Sequence, residues 1–339
     1  MTAFDFVKNL GAGWNLGDTL DSVSERESNP ATHEMQWGNP LTTQAMIDTV
    51  RTAGFQTLRV PVTWYQHTNA DFVINEQFLS RVKEVVNYGL AAGMTVILNQ
   101  HHENWTFPSD ENFPAAKERL AKTWTQIANA FADAPRELIF EGMNEPRKMK
   151  TSVEWTGGDE EGRRVVMQLN STFVDAVRAT GANNTTRILL VPTYAASSEE
   201  VVMQDFSLPN DPNVAASLHA YIPYEFALKN DYDVNDWDET CEAAIDTLFE
   251  RIQRLFIARK IPVIMGETAA RAKRGNTAAR AKWAAYYTAK AGEIGVPCCW
   301  WDNGNLNGPD ETDSFGLLNR KTLAWEYPEI VNAFVGTKC

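Results

Sequence analysis

Two carboxylates four residues apart, Glu141 and Glu145, sit in the stretch FEGMNEP (140–146), which otherwise reads as a buried strand. Burying one carboxylate is costly and burying two is costlier, so each needs a partner or a task. A third acid, Glu267, closes the apolar run PVIMGET (262–268). Strand alternation puts Glu141, Met143 and Glu145 on one face, with Glu141 roughly 13 Å below Glu145 at ~3.3 Å per residue. Glu141 is therefore expected to be a buried structural acid paired with an inward cation such as Arg59. Pro146 pushes Glu145 towards an extended conformation and ends the strand with this carboxylate still aimed along it. Glu267 has a competing reading as a helix N-cap or a surface acid. The run His101–His102–Glu103 invites a metal reading, but adjacent strand side chains face opposite ways and no HExxH spacing occurs. No metal site is expected there, and the loop acids Asp231, Asp233, Asp236 and Asp238 read as a solvated loop rather than as calcium ligands.

The elements that must position these residues recur along the whole chain. Short apolar or β-branched runs occur at 11–17, 57–64, 95–101, 138–145, 187–194, 214–221, 262–268 and 297–303. Most are near-continuous apolar stretches, as parallel strands covered on both faces should be. Helical stripes lie between them, among them Phe78/Val82/Val85/Val86, Leu120/Trp124/Ile127, Val165/Leu169/Phe173 and Ile245/Leu248/Phe249/Ile252. The unit after 187–194 is the weakest and predicts only a short helix in SSEEVVMQDF. Strand then helix, eight times over, favours closure into a single (β/α)8 barrel, an α/β fold spanning 1–339 as one domain. No GxGxxG or GxxxxGK[ST] turn argues for a nucleotide-binding sheet. Loop insertions are expected at 18–40, 102–114, 146–160 and 222–240.

Placed on a barrel, the polar residues gather at the carboxyl ends of the strands. These are Asn15 (first), Arg59 (second), His101 (third), Asn144 and Glu145 (fourth), His219 and Tyr221 (sixth), Glu267 (seventh) and 300–303 (eighth). Such ends converge on one rim, where barrel active sites sit. Strand ends approach solvent and are often polar, which accounts for one or two of these residues. It does not account for three of five histidines there, or for an Arg inside LRVPV. Glu145 and Glu267, across the rim from one another, are the pair that glycoside hydrolysis needs: one acid/base and one nucleophile or water-activating base.

The motifs GWNLG (13–17), WGNP (37–40), LRVPVTW (58–64), NQHHENW (99–105), FEGMNEPR (140–147), LHAYIPY (218–224), VIMGET (263–268) and WWDNG (300–304) occur in order over almost the entire chain. Together they resemble glycoside hydrolase family 5, most of all subfamily 4, whose members are mainly endo-acting β-glucanases and xyloglucanases. The resemblance implies a retaining mechanism with Glu145 as acid/base and Glu267 as nucleophile. It implies that Asn144 bonds the 2-hydroxyl at the cleavage site, that Arg59 and Tyr221 hold and ionise Glu267, and that His219 neighbours the acid/base. It further implies that His101, with His102 beside it, shapes the site, that Trp300 is the sugar-stacking floor, and that Asn15 and Arg59 are substrate-binding residues along with these. An ionised Glu267 should then raise the pKa of Glu145 and keep it protonated. Two departures stand out: Asp18 replaces the usual Asn, and GET followed by Ala269 and Ala270 replaces the commoner GE-aromatic-Gly. A β-mannanase or xylanase of the same fold is the alternative activity. A non-catalytic sugar-binding barrel is a further one, set against the presence of both carboxylates.

Composition narrows the partners. The net charge is −13, from 31 Lys and Arg against 44 Asp and Glu, with no basic cluster, so no nucleic-acid partner is expected and a neutral polymer is not repelled. Eleven Trp residues, many beside polar neighbours, suit flat hydroxylated ligands. Trp37, Trp105, Trp155 and Trp237 fall in rim loops as candidate stacking or loop-packing residues, whereas Trp64 and Trp283 read as core. No run is long enough to span a bilayer. Cys241, Cys298, Cys299 and Cys339 form no CxxC pair and leave room for one unassigned disulfide. No cofactor is expected. The start MTAFDFVKNLG lacks a basic-then-apolar pattern and is not read as a signal peptide. The expected molecule is an extracellular monomer acting on a β-glucan, its export signal absent from this sequence.

Overall fold

A computed structural model describes residues 2–24, 29–229, 234–273, 275–306 and 313–336. Eight parallel strands close into a barrel in sequence order: β1 (Gly13–Leu16), β2 (Thr57–Val60), β3 (Thr95–Asn99), β4 (Leu138–Glu141), β5 (Leu189–Ser197), β6 (Val214–His219), β7 (Val263–Thr268) and β8 (Cys298–Asp302). Every expected strand is present, and the chain is a (β/α)8 barrel. A small hairpin, β9 (Leu318–Asn319) and β10 (Ala324–Trp325), follows. Helices α1 (Ala3–Lys8), α2 (Gln44–Thr52), α3 (Glu76–Ala91), α4 (Phe113–Ala130), α5 (Glu160–Ala179), α6 (Glu200–Asp205), α7 (Tyr224–Ala227), α8 (Glu239–Leu255), α9 (Thr277–Glu293) and α10 (Pro328–Val335) accompany them. The weak fifth unit is indeed short, six residues in α6.

The predicted helical stripes face the sheet, where Val82, Leu120, Phe173 and Ile252 join one large buried cluster. Side-chain caps fix several helix starts: Asn75 accepts from Phe78 N, Asp159 from Gly162 N and Asp238 from Cys241 N. Asp238 is thus a cap, while Asp231 and Asp233 lie outside the described residues. Helix α1 precedes the first strand and has no counterpart among the predicted helical stripes. Its Ala3 and Val7, with Leu10, join Ile97, Ile139, Leu190, Ala215, Ile264 and Cys299 in a separate apolar cluster at the base of the barrel interior. Cys241, Cys298 and Cys299 are buried, and Cys339 lies outside the described residues. Among the described residues no helix is long and apolar enough to cross a membrane.

One irregularity decides where the seventh strand points. Leu218 pairs with Met265, but the next residue, His219, pairs with Glu267, and β8 shows the same slip between Met265 and Thr268. Gly266 is thus an extra residue on β7. Ile264 faces the interior and Met265 the helices, so strict alternation would send Glu267 outward. The bulge turns it into the barrel. Glycine is needed at this place: a Cβ on Gly266 would lie 2.9 Å from Ser217 Oγ and 3.1 Å from His219 Nε2.

Candidate active site

Above the apolar base lies a charged layer built on Arg59, which is fully buried on β2. Its Nε donates to Glu141 Oε2 at 2.7 Å, Nη1 to Glu267 Oε1 at 2.8 Å and to Asn15 Oδ1 at 2.9 Å, and Nη2 to Asn144 Oδ1 at 2.8 Å. Ser217 Oγ donates to the other Glu141 oxygen at 2.5 Å. Glu141 is therefore the structural acid expected from its depth, paired with Arg59 and fully buried. Burial works against the guanidinium charge, but the Glu141 and Glu267 carboxylates hold its pKa above the ordinary value.

At the rim, Tyr221 Oη donates to Glu267 Oε2 at 2.9 Å. Burial and the nearby Glu267 and Glu145 charges push the phenol well above 10, so it remains a donor. Asn99 Oδ1 accepts from Val62 N at 3.0 Å, which turns its amide nitrogen to His101 Nδ1, also at 3.0 Å. Burial, with His102 and Arg59 nearby, holds His101 well below its ordinary pKa. It is therefore neutral, with its proton on Nε2, 4.0 Å from Glu267 Oε1.

Glu145 has different company. His219 Nδ1 lies 2.8 Å from Glu145 Oε1 and 3.7 Å from Glu267 Oε2. Arg147 Nη1 lies 3.6 Å from Glu145 Oε2. Burial pushes the Glu145 carboxyl up, but the His219 hydrogen bond, with Arg147 and His102, brings it below its ordinary 4.5. Burial pulls His219 down, but Glu267 and Glu145 more than offset this and raise it above 6.5. This corrects the expectation of a raised Glu145. The imidazole stands between the two acids, so the proton of the group rests towards His219 rather than on the carboxyl.

Asn144 and Glu145 both reach the site, although adjacent strand residues cannot share a face. The reason is that β4 ends at Glu141, and the alternation expected through Met143 and Glu145 stops there. Met143 instead packs in the helix-facing cluster. Asn144 accepts from Arg59 through Oδ1, leaving its amide N–H groups for a ligand.

Three expectations change. Asn15 is fully buried, donating to the Gly266 and Trp300 carbonyls and accepting from Arg59. Neither it nor Arg59 is open to a sugar; both support from below. Trp300 is also fully buried and cannot be the stacking floor: its Nε1 donates to Phe315 O, and its ring packs on Trp283 and Phe334. The neighbouring Trp301 faces the cleft, half-buried and stacked on His101 at 5.6 Å and 7°. Register would have found it, since Asn15 pairs with Trp301 and Trp14 with Trp300.

The cleft walls complete the site. His102 is half-buried, edge-on to His101 and 5.8 Å from the exposed Trp37. Asp18, Trp37, Asn39, Asn303 and Asp313 line a hollow on the β1/β8 side. Burial and the Asp21 charge push the Asp18 carboxyl up to about 8. Thr268, after the bulge, turns away from the site and donates to Ala220 O at 2.8 Å, with Ala269 and Ala270 buried behind it. Glu103, overlooked in the sequence as a support, accepts from Trp64 N, Tyr65 N and Trp105 Nε1. Trp105 is held there and Trp237 packs against Phe226 and Tyr286; Trp64 and Trp283 are core.

Two side-chain groups among the described residues have cation-binding spacing: Asp21/His101/His102 and Glu145/His219/Glu267. In the first, Asp21 already accepts from Asp18 N and Thr19 N, and His101 Nδ1 from Asn99. In the second, Glu267 is committed to Arg59 and Tyr221.

Sequence and fold place the chain among known proteins. Residues 21–307 match the model of the cellulase family, glycosyl hydrolase family 5. Endoglucanase A of Clostridium longisporum is 42% identical over 98% of the chain, which spans 65% of that protein's length. A GH5-4 broad specificity endoglucanase from Ruminococcus champanellensis with bound cellotriose superposes with a TM-score of 0.95 at 41% identity, covering 100% of this chain and 99% of that one. A xyloglucan-specific endo-β-1,4-glucanase from a metagenomic library, also with cellotriose, gives 0.95 at 40% identity, covering 99% of each chain. On the family model and on identity alike, the chain belongs to glycosyl hydrolase family 5.

Proposed function

We propose that this chain is an endo-acting β-1,4-glucanase that cleaves cellulose-type glucans, mixed-linkage β-glucan or xyloglucan with retention of configuration, as an extracellular monomeric domain. The observation that carries the reading is the spacing of the two acids: Glu145 and Glu267 oxygens lie within 4.8 Å of one another. Retaining enzymes hold their carboxyl groups about 5–5.5 Å apart, while inverting enzymes leave roughly 6.5–9.5 Å for a water.

In the first step Glu267 attacks the anomeric carbon and forms an ester. The bond to the leaving oxygen breaks, and the proton shared by His219 and Glu145 passes through Glu145 to that oxygen. In the second step water attacks the same carbon, Glu145 takes its proton, and the ester bond breaks to restore Glu267. Asn144 supplies a donor for the neighbouring hydroxyl. The exposed tryptophans Trp37, on the β1/β8 side, and Trp155, in the segment after β4, suit a chain that passes through rather than one that ends in the cleft.

Proton NMR of the first product from cellohexaose tests the mechanism: the new reducing end is expected as the β-anomer. An α-anomer at early times overturns it. Product profiles on xyloglucan, mixed-linkage β-glucan and glucomannan, run side by side, rank the substrates.

A further inference from the structure

Trp155 exposes 60% of its surface, yet it is not loosely held. The Arg147 guanidinium carbon lies 4.1 Å from the centre of its ring and covers one face. Arg147 in turn donates through Nε to Glu154 Oε1 at 3.0 Å and through Nη1 to the Glu145 carbonyl at 3.0 Å, with Nη1 3.6 Å from the Glu145 carboxylate. Glu154 also accepts from Lys150 N at 2.7 Å, and Tyr194 Oη bridges the segment, accepting from Lys148 N and donating to Val153 O. Residues 146–155 are therefore built to hold one indole, with its second face open, on the same support as the carboxylate. The fold gains little from an indole left in water; cation–π stacking at an exposed site contributes only ~0.5–1 kcal/mol.

From this geometry we infer that Arg147 is a positioning residue that couples a sugar platform, Trp155, to the acid/base carboxylate Glu145. The inference rests on the reading of Glu145 as the acid. The departing sugar must lie over the group that protonates it. Trp155 follows Glu145 from the end of β4, whereas Trp37 and Asn303 line the hollow beside β1 and β8 on the opposite side of the ring. Trp155 is thus placed on the leaving-group side, where its open face takes the C–H face of a glucosyl unit. A sugar seated there presses the indole onto Arg147 and fixes the guanidinium against Glu145. Binding energy gained away from the reacting bond is in this way used to orient the proton donor.

The test compares cellohexaose with 2,4-dinitrophenyl β-cellobioside on the whole chain. Dinitrophenolate departs without a proton and places no sugar beyond the cleavage point. Trp155→Ala and Arg147→Met are each expected to lose about tenfold more kcat/KM on cellohexaose than on the aryl glycoside, or ~1.4 kcal/mol. In the Arg147→Met background, Trp155→Ala is expected to cost less than about twofold more, because contacting residues are non-additive. Arg147→Lys keeps the charge but not the flat stacking face, and should likewise uncouple Trp155. Equal losses on both substrates, or fully additive losses, overturn the inference. Trp155 is exposed, so its truncation does not threaten folding. Failure of the underlying reading looks different: Glu145→Gln would then lose equally on both substrates.

Discussion

The two sides of the cleavage point carry the same functional group in unlike settings. On the β7 side, Glu267 is clamped by Arg59 and Tyr221, with His101 at 4.0 Å, and its side chain is 7% exposed. On the β4 side, Glu145 is 18% exposed and meets His219 and Arg147. A nucleophile must be held still, and fixed donors on both oxygens provide that. An acid must hold a proton it can give up and reclaim, and a neighbouring imidazole that can hold the same proton provides that. The asymmetry supports the proposed division of roles, which two glutamates alone would leave open.

The largest effect should come from the clamped side. Glu267→Gln is expected to lose at least about 10⁴-fold in kcat on every substrate, as removal of a covalent nucleophile does. Glu145→Gln should lose about 10²–10⁴-fold on glucan, the usual worth of general acid catalysis, and far less in the glycosylation step of 2,4-dinitrophenyl β-cellobioside. Pre-steady-state release of dinitrophenolate from both variants would expose a reversed assignment.

Below the rim, the contrast predicts support without chemistry. Glu141→Gln leaves the buried Arg59 charge under-compensated and is expected to cost about 3 kcal/mol in urea unfolding. The pH dependence of kcat/KM should shift much less; a large shift with unchanged stability would place Glu141 in the chemistry instead.

The labile side should show itself in pH. The raised His219 favours the folded state fully below its ordinary 6.5, and this is lost as pH rises through the folded value. The lowered Glu145 favours it above its ordinary 4.5, and this is lost as pH falls through its folded value. The difference in melting temperature between wild type and His219→Asn should therefore be widest between pH 4.5 and 6.5. A gap that keeps widening above pH 8 is incompatible with this pairing.

The smallest effect concerns Asp18. With its carboxyl pushed up to about 8, it is protonated at neutral pH and similar in shape to Asn. Because this folded value lies above the ordinary 3.8, the group opposes folding increasingly as pH climbs from 3.8 to 8. Asp18→Asn should match wild type in kcat/KM at pH 6 and melt about 1–2 °C higher at pH 8, the shift that ~1 kcal/mol produces in a chain of this length. Equal melting at pH 8 argues for an ordinary Asp18.

Much of this was legible in the sequence. Eight apolar runs located the strands, and Pro146, the inward Arg59 and the histidines at strand ends located the rim. Legibility failed where phase mattered. CCWWD is buried on its helix-facing side and mostly buried on the other, so it carries no alternation that tells Trp301 from Trp300. VIMGET is apolar in the same way, and only the slip at Gly266 reveals why Glu267 points inward. The proton's location was beyond reach for another reason: it depends on His219 standing between two acids, a three-body arrangement that no spacing encodes.

Arg59 joins side chains from β1, β4, the segment after β4, and β7. A transplant of Glu145 and Glu267 into another barrel would therefore carry over the reagents without the jig that aligns them. Asn15, Arg59, Glu141, Asn144 and Glu267 form the smallest portable unit around the nucleophile. Drift in a lineage should also be uneven: exposed positions such as Val73 and Val201 can be rewritten one residue at a time, whereas these five positions can change only together.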